Sequence, residues 1–167
     1  MDAVRSLLEE GTFHESTVED VATRAGVSRA TLYLHFGTRT ALVDAICDTF
    51  DENPALVALR QADDLDEWIR LVVDFWSAEE KILVQLYGAA AVDPAARDLV
   101  ARQLRDRQNE LRRLLRDLGA ADDRQAFTWL LLLTSFETYL QLRRHAGLSK
   151  RDVVAALQEA AGNVKRP

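Results

Sequence analysis

The chain has 167 residues, of which 48% are apolar and 29% charged, with seven glycines and three prolines. That composition can bury a core, unlike the weakly apolar composition of disordered chains, and the prevalence of Ala, Leu and Arg over β-branched residues favours helix. A formal net charge of −6 excludes a uniformly basic nucleic-acid binder, so any such affinity has to come from how charge is distributed.

Apolar runs such as Trp129–Leu133 fall far short of the roughly 20 residues of a membrane span. Met1–Val4 has no basic segment leading into an apolar stretch, so no signal peptide is expected. Cys47 is the only cysteine and can form no intramolecular disulfide, which fits a cytoplasmic protein with no membrane association.

The elements follow in order. Val4, Leu7 and Leu8 form a short apolar stripe that Gly11 ends. Thr17 precedes Val18-Glu19-Asp20, an N-cap with an acid three positions on; Ser16 with Glu19 is the alternative cap. Val18, Val21, Ala22 and Ala25 recur at helical spacing up to Gly26, a left-handed stop. Ser28 is the next N-cap, Ala30–Phe36 makes about two turns, and Gly37 stops them. Thr38 caps a helix reaching Phe50, striped by Leu42, Val43 and Ile46. Glu52-Asn53-Pro54 is expected to break or bend the chain.

Leu65–Glu80 is predicted helical, with Trp68, Ile69, Val72, Val73 and Trp76 on one face. Asp93-Pro94 pairs an N-cap with proline at the first helical position. Leu104, Leu111, Leu114, Leu115 and Leu118 then lead to Gly119. Asp122 with Gln125 caps a predicted long helix through His145, closed by Gly147, and Ser149 with Asp152 caps a last one through Ala161. No period-2 strand, low-complexity tract or internal repeat is visible. The reading is all-α, with a functional boundary near Cys47–Asn53.

One segment carries chemistry. No Asp or Glu occurs from Val21 to Val43, where Arg24, Arg29 and Arg39 fall, while Glu9, Glu10, Glu15, Glu19 and Asp20 crowd one flank and Asp44 opens the other. Inside this window Thr17–Phe36 spells helix, glycine turn, helix. Small Ala22 permits a close helix crossing, Gly26 a positive φ, and Val27 and Leu32 are expected to plug the two helices together. Leu34 and Phe36 read as structural. Ser28 would cap a second helix whose free N–H groups can face an anion, leaving Arg29, Thr31, Tyr33 and His35 for solvent or DNA.

Over about Asp2–Ile46 the sequence resembles the TetR family of regulators, most densely in Val18–Ala22, Ala25–Ser28 and Thr31–Arg39. The resemblance implies an N-terminal three-helix helix-turn-helix DNA-binding domain, residues 1–46, followed by a helical ligand-binding and dimerisation domain, residues 47–167. It implies phosphate contact at Thr17 and base reading at Ser28, Arg29, Ala30 and Thr31. It further implies phosphate or base contact at Tyr33 and His35, and a backbone clamp at Thr38 and Arg39, where the family usually carries lysine in place of Arg39. An arginine can donate a bidentate pair to guanine. Family members usually carry several residues, often basic, ahead of the first helix. Here the chain opens at Met1-Asp2 with Arg5 as the only early base, and either a trimmed start or a missing arm would lower the expected DNA affinity.

Beyond Asn53 the resemblance fades. Aromatic residues concentrate there, and Trp68, Phe75, Trp76, Tyr87, Trp129 and Phe136, with Glu137 as a partner for a cationic ligand, are the candidate lining of an effector pocket. Packed core is the plainer reading of any one of them. The family's two-fold interface maps to Asp122–His145 and Ser149–Ala161, with Leu132, Leu133, Leu140, Val153 and Leu157 as candidate dimer residues and a near-palindromic double-stranded operator as the partner. Cys47, with no adjacent base, reads as a buried small apolar residue.

The sequence holds no glycine-rich phosphate loop, HExxH, paired-cysteine metal site or nucleophile elbow, and His14, His35 and His145 fall in separate segments. No enzyme activity, cofactor or metal is expected. The expected function is a sequence-specific DNA-binding regulator, a repressor released by a small molecule. The alternative is a helical ligand-binding or interaction protein of the same fold without DNA binding.

Overall fold

Caps decide where the helices begin. The computed structural model describes residues 2–10 and 16–164; the side chains of Leu8, Arg39, Thr40, Val43, Ile46, Asp51, Ala95 and Val164 lie outside that description, as do Gly11 and His14. Among the described residues every regular element is helical, as the composition implies.

The first helix, α1 (Asp2–Glu9), is followed by α2 (Val18–Ala25), α3 (Arg29–Phe36) and α4 (Arg39–Asp48). Of the two caps the sequence allows for α2, Thr17 is used. Its hydroxyl accepts the Asp20 N–H at 3.1 Å while the Asp20 carboxylate accepts the Thr17 N–H at 2.7 Å. Bonding to the Thr17 hydroxyl, then to the Thr17 N–H, holds the Asp20 carboxyl below its ordinary pKa. Gly26 closes α2 at φ 68°, a left-handed conformation that costs glycine little. Its own N–H donates to Thr23 O at 3.1 Å and that of Val27 to Ala22 O at 3.0 Å, which satisfies carbonyls the helix end would orphan.

A 3₁₀ turn, Thr49–Glu52, ends the N-terminal run. The next segment shows the expected break at Asn53, which lies in extended backbone between that turn and a new helix. Asn53 accepts the Ala55 N–H at 2.9 Å and Pro54 takes the first helical position, so a short helix forms, α5 (Pro54–Leu59). Helix α6 (Leu65–Ala90) runs well past the expected end at Glu80, and α7 (Pro94–Asp117) starts at the Asp93-Pro94 signal.

The predicted single helix over Asp122–His145 is interrupted. Asp123, not Asp122, caps α8 (Arg124–Leu133), accepting the Ala126 N–H at 2.8 Å. Thr134 and Ser135 then break the chain before α9 (Phe136–Leu140) and a π-helical turn, Gln141–His145. Ser135 is the reason on one side, since its hydroxyl accepts the Thr138 N–H at 3.1 Å and caps α9. On the other side, Leu130 O keeps the Thr134 N–H at 3.0 Å and Leu132 O takes the Ser135 N–H at 3.2 Å, and side chains add to them: Thr134 Oγ1 donates to Leu130 O at 2.6 Å, Thr138 Oγ1 to Leu132 O at 2.8 Å, and Arg107 to Leu131 O at 3.2 Å. The Trp76 indole donates to Thr134 O at 3.1 Å. The break is satisfied rather than frayed. Ser149 caps α10 (Lys150–Val164), which continues through Gly162 beyond the expected end at Ala161.

The chain divides into two units that are not consecutive in sequence. One holds residues 1–51 and 79–103, the other 52–78 and 104–167. In the first, α1, α2, α3 and α4 pack on one another over Val4, Leu7, Val21, Ala22, Leu32, Leu42 and Phe50, with Ile82, Leu83 and Leu86 also buried. Two ion pairs tie its separate segments. Arg5 of α1 donates to the buried Glu79 of α6 at 2.6 Å, and Arg102 of α7 pairs with Asp44 of α4. The second unit buries the predicted face Trp68, Ile69, Val72, Val73 and Trp76, together with Leu111, Leu114, Leu130, Phe136, Tyr139, Val153 and Leu157.

Thr134 is itself 1% exposed, so removing the donor to its carbonyl leaves a buried acceptor unpaired. Trp76→Phe keeps an aromatic ring but loses the N–H and the pyrrole part of the indole. It should cost at least about 1–3 kcal/mol, read as a lower urea midpoint at unchanged slope.

Candidate nucleic-acid interface

An eight-residue helix with one fully buried side chain, Leu32 at 6% exposure, leaves nearly all of α3 at the surface. Its entry is fixed by Ser28, which sits in extended backbone and accepts the Thr31 N–H at 3.0 Å. The Ser28 hydroxyl also lies 2.8 Å from the Thr31 hydroxyl. The Arg29 and Ala30 N–H groups have no protein partner among the described residues, and a helix N-terminus with free N–H groups favours an anion. At the other end Gly37, at φ 68°, turns the chain, and Thr38 caps α4 by accepting the Ala41 N–H at 3.1 Å.

Thr17, Ser28, Arg29, Ala30, Thr31, Tyr33, His35 and Thr38 are all exposed. The structure therefore gathers these sequence-predicted positions on α3 and at the starts of α2 and α4. Arg39 opens α4, but its side chain lies outside the described residues. Two expectations are corrected. Val27 is 40% exposed and does not plug the turn; its N–H, rather than its side chain, closes α2. Leu34 is 84% exposed and has no structural role in the core. Phe36 is half-buried, with its ring 6.3 Å from that of His35.

Arg29 is held in place before any DNA arrives. Its guanidinium lies 5.4 Å from the Tyr33 ring centroid and 3.7 Å from the Glu19 carboxylate. Both ionic partners are well exposed, with side-chain exposures of 60% and 71%, so the pair orients more than it stabilises. The acid-free window is thus not free of acid in space. Arg24 is engaged more firmly, donating to both oxygens of Glu10 at 2.7 and 2.6 Å. The Arg24 hydrogen bonds, then that from Ser6, hold the Glu10 carboxyl below its ordinary pKa.

In the second unit the predicted aromatic residues divide. Phe75 and Trp76 meet at 5.1 Å between centroids, and Trp76 and Phe136 at 5.4 Å. Trp68 is 0% exposed, and its indole N–H has no partner among the described residues. Trp129 is 46% exposed, and Glu137 is exposed in the first turn of α9. Tyr87 belongs to the other unit. The charge that reaches the aromatic cluster is one the sequence did not single out: Arg107 lies 6.0 Å from the Trp76 ring and donates to the Thr134 hydroxyl at 2.9 Å. Of the candidate dimer residues, Leu132 is 55% exposed, Leu133 and Leu140 are half-buried, and Val153 and Leu157 are buried within the subunit.

Cys47 is buried at 8% exposure, and burial first, then the charge of Asp44, pushes its thiol up to about 12. Among the described residues no three His, Cys, Asp or Glu gather as a metal site, and no helix is long and apolar enough to cross a membrane.

Residues 1–46 match the family described as bacterial regulatory proteins, tetR family. No curated protein matches the chain. Among solved structures, a transcriptional regulator from Rhodococcus sp. Rha1 superposes with a TM-score of 0.75 at 19% sequence identity, covering 98% of this chain and 92% of that one. At this identity the likeness shows a shared fold along almost the whole chain.

Two outcomes follow from the local chemistry. Glu19→Gln removes a carboxylate from beside Arg29. Since an exposed pair is worth about 0.2–1 kcal/mol, DNA binding should tighten by up to about fivefold at low salt, and the gain should shrink as salt is added. With its thiol at about 12, folded Cys47 should resist alkylation at pH 8 and react once urea unfolds the chain, as counted by mass spectrometry. Because the folded thiol holds its proton to higher pH than an unfolded one near 8.5, the stability this residue contributes is present below that pH and is lost as pH rises.

Proposed function

We propose, from the match of residues 1–46 to the bacterial regulatory proteins of the tetR family, that the chain is a DNA-binding transcriptional regulator, and more narrowly a repressor released from its operator by a small molecule. The observation that carries DNA reading is α3: a Ser28-capped helix whose outer face presents Arg29, Ala30, Thr31, Tyr33 and His35, with Arg29 laid along the Tyr33 ring. In this reading residues 1–46 are the reading head, Arg29 and its neighbours meet base edges, and Thr17, Thr38 and Arg39 meet phosphate. Base contacts would specify the site and phosphate contacts would fix the register.

Residues 47–167 would bind the effector and a second copy. The contacting rings of Phe75, Trp76 and Phe136 support an apolar effector, and the buried Trp68 N–H, without a partner among the described residues, supports one carrying an acceptor. Trp129 and Glu137 are the further candidates within this unit, Glu137 for a cationic group. Trp129 and Leu132, three residues apart on α8 and both exposed, support a face for the second copy. A homodimer would present two α3 helices to the half-sites of a near-palindromic operator, and the effector would act by binding more tightly to the arrangement that misfits them.

A second reading keeps the fold without DNA binding. It is favoured by the charge of −6 and by the engagement of Arg24 and Arg29 with Glu10 and Glu19. A gel shift and footprint on DNA flanking the protein's own gene, at two salt concentrations, separates the two. The expected result is a protected near-palindrome that weakens steeply with salt, with Arg29→Ala costing about 5- to 150-fold, the worth of a bidentate guanine contact. No protection at low salt would leave the second reading.

A further inference from the structure

At about 100° per residue, Leu32 and Phe36 mark the side of α3 that faces the core: Leu32 is 6% exposed and Phe36 half-buried. Leu34 lies almost opposite their bisector and is 84% exposed. One turn earlier on the same outer strip is Ala30, also exposed. The centre of the surface that α3 offers is therefore apolar, small at Ala30 and large at Leu34. Polar flanks border it, Thr31 on one side and Tyr33 with its Arg29 on the other.

Among the described residues nothing covers Leu34. An exposed leucine in the second turn of a helix that enters the major groove meets a floor of hydrogen-bonding edges, with one apolar group among them, the C5-methyl of thymine. We infer that Leu34 is a specificity-determining residue that reads thymine through this methyl. Arg29 and Leu34 then divide the readout. The arginine at the front of α3 seeks a guanine edge, and the leucine one turn further along seeks a methyl. Ala30 is small enough to let the helix approach closely between them. This deepens the proposed operator binding and rests on it.

The test is binding-site selection from random duplexes with wild-type protein, Arg29→Ala and Leu34→Ala, followed by affinity measurements on the selected site with deoxyuridine in place of thymine. Deoxyuridine pairs as thymine does and lacks only the methyl. The expected wild-type consensus holds one thymine per half-site that Leu34→Ala no longer selects while its other positions persist. At that position deoxyuridine should weaken wild-type binding about fourfold, as losing one buried methyl-sized group would, and leave Leu34→Ala unaffected. The deoxyuridine arm uses wild-type protein, so it does not depend on a variant folding. Wild-type binding indifferent to the methyl, or a thymine retained by Leu34→Ala, overturns the role of Leu34 even where Arg29→Ala abolishes the consensus. Failure of the wild-type protein to enrich any sequence overturns operator binding itself, and this inference with it.

Discussion

A two-turn helix cannot hold its own shape in water, because nucleation costs more than so few hydrogen bonds return. The geometry of α3 is therefore borrowed. Leu32 supplies the buried anchor, Ser28 the cap at one end, and Gly37 the turn at the other. Everything assigned to the DNA-facing surface depends on that small set. If Leu32 were not buried, the direction of the exposed strip would be undefined, and Ala30 and Leu34 would share no outer face flanked by Arg29 and Tyr33. Spending one side chain on the core and leaving the rest outside suits a reading helix, because each surface position can then change without loss of the fold.

The electrostatics work against easy DNA binding. The chain is acidic, and the two arginines with described partners in its basic segment sit beside carboxylates. They are not equivalent. Arg24 and Glu10 make a two-point contact that a phosphate would have to replace in full, whereas Arg29 and Glu19 stand 3.7 Å apart in solvent and part cheaply. An arginine oriented by an aromatic ring and loosely held by an acid loses less freedom on meeting a base edge than a free one. The same acid repels any phosphate brought near it. Weak non-specific affinity with a retained specific contact is a form of discrimination, since specificity is a difference between two affinities.

Local signals were legible in the sequence where they act over three or four residues. The Thr17–Asp20 box, the Ser28, Thr38 and Ser149 caps, the Gly26 turn and the Asp93-Pro94 start all stand where their side-chain chemistry puts them. The misreadings have local causes as well. Asn53-Pro54 does break the chain as read, but the short helix that starts there is not legible in the pair, because it depends on the Asn53 bond to the Ala55 N–H. A serine inside a helical pattern is ambiguous until donors for the orphaned carbonyls are known, and at Ser135 one comes from Arg107 and another from Trp76. Leu34 read as structural because apolar residues are assumed to be inside, an assumption that fails where a helix has room for a single anchor. Arg24 with Glu10 is an encounter over fourteen positions, and the pairing of 79–103 with 1–51 one over still more. No periodicity announces either.

The grouping of the chain bears on how a sensor could act on the reading head. Helices α6 and α7 each contribute residues to both units, and within the first unit they carry the partners of the head: Glu79 for Arg5 of α1, and Arg102 for Asp44 of α4. The fourth helix is one route by which effector binding could reach α3. The ion pairs supply a second, through the continuous backbones of α6 and α7. The two ties differ in kind. Glu79 is 4% exposed, so it is costly to leave unpaired in any rearrangement, and α1 should follow α6 as it moves. Asp44 and Arg102 are each two-fifths or more exposed and can separate into water at little cost. Of the two ties, the one at α1 resists separation and the one at α4 does not. In the proposed mechanism an effector would control DNA binding only by binding one arrangement of the head more tightly than another.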